Sequence, residues 1–160
     1  MKKVKVGTRG FTLLEVLLVV GIIAILAGIV IIAINPSKQL GDTRNAQRRS
    51  DVLTILNAVY QYTIDTNGTL PSVIAVASCS TVGTNEIATS SATTSAASID
   101  LYSKLVVSAA SSTYLVAIPK DPQATTTAVG TGYVITKAAS GRVTVCAPLA
   151  ENSATISVTR

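Results

Sequence analysis

The chain has 160 residues, a formal charge of +5, two cysteines and no histidine. The missing histidine removes the commonest general base and the commonest transition-metal ligand, and two cysteines are too few for a four-thiolate zinc site. Five Tyr, one Phe and no Trp leave the filling of a core to Val, Ile, Leu and Ala.

The charge is concentrated at the front. Lys2, Lys3, Lys5 and Arg9 precede residue 10; beyond them nine Lys and Arg face eight Asp and Glu. A basic cluster just before an apolar run is the cytoplasmic flank expected from the positive-inside rule. It argues against nucleic acid as a partner. Only Arg44, Arg48 and Arg49 could form a DNA-contacting stripe, and charge clusters on helices are more often solvated faces.

Residues 11–34 form the apolar run itself. As a helix it is about 36 Å long, enough to cross a hydrocarbon core of about 30 Å. The expected topology is a single pass, N-terminus in the cytoplasm and the remaining chain outside the cytoplasmic membrane. A removable secretory signal has a shorter apolar region, and a plain anchor leaves Glu15 unexplained. A carboxylate in the apolar zone costs several kcal/mol unless it is protonated or paired.

The junction Arg9-Gly10-Phe11 supplies a partner. Gly10 lets a protease approach the backbone closely, and cleavage after it creates an amine on Phe11, four residues before Glu15. In an assembly of identical chains, Glu15 of one subunit can pair with the Phe11 amine of the next. Each group then offsets the burial cost of the other, and the pairing sets the axial register.

The stretch "KVGTRGFTLLEVLLVVGIIAILAGIV" resembles the N-terminus of the type IV pilin and type II secretion pseudopilin superfamily. Gly10, Phe11, Thr12, Leu13, Leu14 and Glu15 match its signature without a departure. The resemblance implies cleavage between Gly10 and Phe11 by a prepilin peptidase, N-methylation of Phe11, and polymerisation through the N-terminal helices with Glu15 as the assembly carboxylate. It also implies an assembly ATPase and an inner-membrane platform protein as partners, and an extracytoplasmic filament as the final location. Gly21 and Gly28 share one face of the helix, which fits either close helix packing or ordinary tolerance of glycine in membrane helices.

Pro36 lacks an N–H and is expected to kink or interrupt the helix, with Gly41 a second weak point. A second helix is predicted over 42–64. Its apolar stripe is Leu53, Leu56, Tyr60 and Ile64, widened by Val52, Ile55, Val59 and Tyr62. Arg44, Arg48 and Arg49, with Asp42 and Asp51, read as a polar collar above the membrane, and Asp65-Thr66-Asn67-Gly68 as the helix stop.

The remaining chain reads as a Ser/Thr-rich loop over 65–98 with a short strand at Val73–Val76, a short helix over 99–110, and an antiparallel sheet of three to four strands within 113–160. The strand candidates are "TYLVAIP", "TGYVITKA", "GRVTVCAPL" and "ATISVTR", with Ser140-Gly141 as a hairpin turn. The fold class is therefore α+β and, by the resemblance, pilin-like: a long N-terminal helix whose amphipathic half covers a small sheet. The domain plan is a cleaved leader 1–10, a membrane and assembly helix 11–35, and an extracytoplasmic head 36–160.

Two further features concern the head. Cys79 and Cys146 either form a disulfide, worth about 4 kcal/mol for a loop of this length, or remain buried thiols. "IPKDP" at 118–122 resembles a loop of major pseudopilins, some of which bind calcium nearby, and makes Asp121 a calcium candidate. Against this, hard cations want several oxygens and residues 123–132 offer no carboxylate. No other cofactor is expected.

Function follows in the same order. A structural subunit of a type IV pilus or type II secretion-type pseudopilus is the leading reading. The alternative is a membrane-anchored extracytoplasmic binding protein, an adhesin or DNA-uptake minor pilin. An enzyme is not expected, for no nucleophile–base pair or phosphate loop is present.

Overall fold

The computed structural model describes residues 10–79, 85–90, 98–106, 114–124 and 129–160. The leader other than Gly10, parts of the Ser/Thr-rich loop and residues 107–110 of the expected short helix lie outside the described residues. The chain divides into two compact units, Met1–Gln39 and Leu40–Arg160.

The first unit holds helix α1, Leu13–Ile34. Its 22 residues extend about 33 Å, a membrane-spanning length. Its large apolar side chains are exposed along its whole length. A helix apolar all round is built for a hydrocarbon surround. Asn35 ends it in the left-handed conformation (φ 46°). Helix α2, Pro36–Asp65, begins at the next residue. Pro36 thus stands at the first position of a new helix, where its missing N–H is no loss, rather than at a kink within one helix. Asn35 serves both helices: its Oδ1 accepts from Ser37 Oγ at 2.8 Å and from the Lys38 N–H at 3.4 Å.

The second helix is longer than the predicted 42–64, and Gly41 does not weaken it. Gly41 is buried, and a Cβ there would stand 2.8 Å from Asn152 Nδ2. The missing side chain is what lets the 151–153 turn approach. The stop falls where expected: Asn67 and Gly68 take positive φ, and the Gly68 N–H closes onto Thr63 O at 2.8 Å.

The sheet is mixed and has five strands, in the order β2-β1-β3-β4-β5. They are β1 Glu86–Ala88, β2 Ser98–Ile99, β3 Gly130–Lys137, β4 Val143–Cys146 and β5 Ser157–Thr159, with a four-residue helix α3, Tyr102–Leu105, between β2 and β3. The expectation of three or four antiparallel strands is corrected by the β1–β2 pair, which is parallel. Both strands lie where the sequence reads as loop or helix, and at three and two residues they are too short to show a period. The expected strand at Val73–Val76 is reduced to a single bridge from Val76 to Lys137. "TYLVAIP" is not a strand over its described residues: the Tyr114 and Leu115 N–H groups both turn back to Leu105 O, and Val116 is exposed. The Ser140-Gly141 hairpin forms as predicted, with Ala138 N–H on Arg142 O at 2.8 Å and Gly141 at φ 85°.

The core lies between α2 and the sheet. Val52, Ile55, Leu56 and Val59 meet Ile87, Tyr133, Ile135, Val143, Val145 and Ile156. The buried stripe is offset from the predicted one, for Leu53 and Ile64 are exposed. Followed toward the N-terminus it continues through Arg48, Asn45 and Gly41, a strict alternation of three- and four-residue steps. The core-facing stripe of α2 is therefore apolar at one end and polar at the other.

Candidate functional site

Two places in the chain carry charge where the local pattern calls for apolar residues. The first is the start of α1. Gly10, Phe11 and Thr12 lie outside the helix, and Thr12 is the N-cap: it is extended (φ −78°, ψ 150°), and its Oγ1 accepts from the Glu15 N–H at 3.2 Å. A full capping box would turn the Glu15 side chain back onto the Thr12 N–H. Among the described residues no donor reaches the Glu15 carboxylate. Phe11 is 82% exposed, and Gly10 has open space where a Cβ would stand. Phe11, Glu15, Val16, Val19 and Val20 line one shallow groove on the helix surface. Gly21 and Gly28 likewise face open space, so no packing among the described residues requires either glycine.

The second place is the polar end of the α2 stripe. Arg48 is fully buried, and all five of its guanidinium N–H donors are used. Nε and Nη2 grip Asp121 at 2.7 and 3.0 Å in a bidentate pair. Nη1 reaches Asn45 Oδ1 and Glu151 Oε2, each at 3.0 Å, and Nη2 also reaches Gln123 Oε1 at 2.8 Å. Glu151 is clasped a second time by Arg44, and its backbone exchanges two hydrogen bonds with the Asn45 amide. The Arg44 hydrogen bond, then that of Arg48, lowers the Glu151 pKa from 4.5 to about 2. Tyr133, also fully buried, donates to Asp51 at 2.7 Å; burial first and this bond second raise its pKa far above the ordinary value.

Glycines open this layer. Gly130 and Gly132 lie on β3, where a Cβ at Gly130 would fall 2.0 Å from the Glu86 carboxylate and one at Gly132 would fall 2.7 Å from Asp121 Cβ. Glu86 accepts from the Gly132 N–H at 2.8 Å. Sequence reasoning missed Glu86, Asn45, Gln123 and Glu151. The helical spacing of Gly41, Asn45, Arg48 and Val52 is the signal that could have found Asn45.

These contacts correct two expectations. The collar of Asp42, Arg44, Arg48, Arg49 and Asp51 is not a solvated ring: Arg48 is a core residue, and Asp51 and Asp42 are engaged by Tyr133 and Asn152. That also removes Arg48 from any stripe that could touch DNA. Asp121 does not fit a calcium site, because both of its carboxylate oxygens are held by the Arg48 cation. Among the described residues no group of three or more carboxylates, thiols or imidazoles gathers elsewhere. Cys79 and Cys146 are joined as a disulfide with Cα atoms 6.4 Å apart, tying the segment that follows Val76 to the end of β4.

Residues 7–31 match the family model described as the prokaryotic N-terminal methylation motif, which is the prepilin signal of type IV pilins and pseudopilins. No curated protein matches the chain, and no solved structure does. The motif and the apolar α1 fit a single-pass membrane-anchored protein, a pilin-like or pseudopilin precursor.

Proposed function

We propose that this chain is the precursor of a filament subunit, of a type IV pilus or a type II secretion-type pseudopilus. A prepilin peptidase hydrolyses the Gly10–Phe11 amide: water adds across it, leaving a carboxylate on Gly10 and an amine on Phe11. The neutral amine then attacks the methyl group of a sulfonium-type donor; the N–C bond forms as the S–C bond breaks, the donor leaves as a thioether, and the nitrogen can shed one proton to water. The subunit has its N-terminus in the cytoplasm and its head outside, and an assembly ATPase and a membrane platform protein drive polymerisation. Its role is structural, not catalytic.

The observation that supports this reading best is the Glu15 carboxylate. It stands on a helix apolar on every side, within the matched motif, with no donor among the described residues of its own chain. Such a group is costly in hydrocarbon unless it is protonated or paired. A Phe11 amine on a neighbouring copy has the right sign and lies at the right end of the helix. The deciding experiment is an intact-mass measurement on protein extracted from membranes. Loss of residues 1–10 and gain of one methyl is expected; an uncut chain would end the proposal.

A further inference from the structure

We infer that Thr12 is a positioning residue for the cleavage proposed above: it stops α1 short of the Gly10–Phe11 bond and so holds that bond extended for the peptidase. The inference rests on that bond being the one cut. Thr12 is extended, and its Oγ1 takes the Glu15 N–H at 3.2 Å; α1 starts at Leu13. Upstream, Phe11 is exposed, and a Cβ on Gly10 would meet nothing within 4 Å.

The alternative is specific. In an α-helix each N–H bonds the carbonyl four residues before it. If α1 grew backward, the Glu15 N–H would take Phe11 O and the Leu14 N–H would take Gly10 O. Gly10 O belongs to the amide that must be hydrolysed, and its carbonyl carbon is the atom water attacks. A helix that captures this oxygen hides the bond in a hydrogen-bonded turn. Near a membrane, where water does not satisfy stray N–H groups, backward growth is the ready substitute for a lost cap. The Thr12 hydroxyl holds the Glu15 N–H, the bond that a backward turn must first hand to Phe11 O before the Leu14 N–H can reach the Gly10 carbonyl.

The test uses the full chain in lipid nanodiscs with purified prepilin peptidase, following appearance of the shortened product. Thr12→Val keeps the side-chain shape and removes the acceptor. Thr12→Ser and Thr12→Asn keep an acceptor and change the shape. Because the cap sets the fraction of chains with an extended bond, Thr12→Val should raise KM roughly fivefold with kcat nearly unchanged. Thr12→Ser and Thr12→Asn should stay near the parent chain. In Thr12→Val the Gly10 carbonyl carbon shift should also move toward helical values. Unchanged KM in Thr12→Val overturns the inference, as do Ser and Asn variants as slow as Val, which would mean that the peptidase reads the methyl group. If the parent chain is cut elsewhere or not at all, the cleavage reading falls with it.

Discussion

The start of α1 and the polar end of α2 set the same problem and solve it differently. Each places one charge on a helix face that the neighbouring residues make apolar. In the head, Arg48 meets five acceptors from four residues of its own chain, two of them carboxylates. On α1, the Glu15 carboxylate meets no donor among the described residues, although its backbone N–H is capped by Thr12. A buried charge satisfied internally belongs to the fold. A charge left bare on an apolar helix points to a second molecule.

Four substitutions or conditions would break or sharpen that contrast. The largest effect is expected at Glu15. Glu15→Ala should abolish filament formation, scored by electron microscopy of sheared cells, while the head's melting transition stays in place. Filaments at parental abundance would show that the carboxylate needs no partner.

Next comes Arg48→Met, which strands Asp121 as a buried carboxylate without its cation. Breaking one side of a buried pair costs about 3–5 kcal/mol, read as the shift in denaturation midpoint of the head. Adding Asp121→Leu to that variant should recover much of the loss, because the penalty lies in the uncompensated charge. If the single variant is as stable as the parent, the ion pair is not a structural element.

Removing the disulfide with Cys79→Ser and Cys146→Ser should cost about 4 kcal/mol from loop closure over a sequence separation of 67. The same transition in reducing and non-reducing buffer checks it.

The smallest effect is a pH dependence. Glu151 has its pKa lowered on folding, so the unfolded chain binds more protons between the two values. Its contribution is complete above about pH 4.5, falls as the pH drops, and is gone below about pH 2. Glu151→Gln should flatten the melting temperature against pH within that window and leave the slope above it unchanged.

Much of the chain is legible in its residues alone. The membrane helix needs only length and composition, because a hydrocarbon surround imposes no finer pattern. Its boundary at Pro36, the stop at Asn67-Gly68 and the Ser140-Gly141 hairpin are local events written in residues with special backbone freedom. The strands β3, β4 and β5 are long or β-branched enough to show themselves. Strand β1 exists because β3 offers an edge to pair with, and β2 because β1 then offers the next one; no window of two or three residues carries that information.

The candidate site divides along the same line. Gly10, Phe11 and Glu15 could be named from sequence because each is an exception within a uniform run. Arg48 and Asp121 could not be paired, for 73 residues separate them. Arg48 read as part of a polar collar and Asp121 as a calcium candidate, each reasonable for the residue alone. Local pattern alone suffices for the apolar helix, its misplaced acid and the turns. What only the tertiary structure decided is which charges cancel, because desolvation and pairing depend on what the fold brings to within 3 Å, and chain order does not encode that distance.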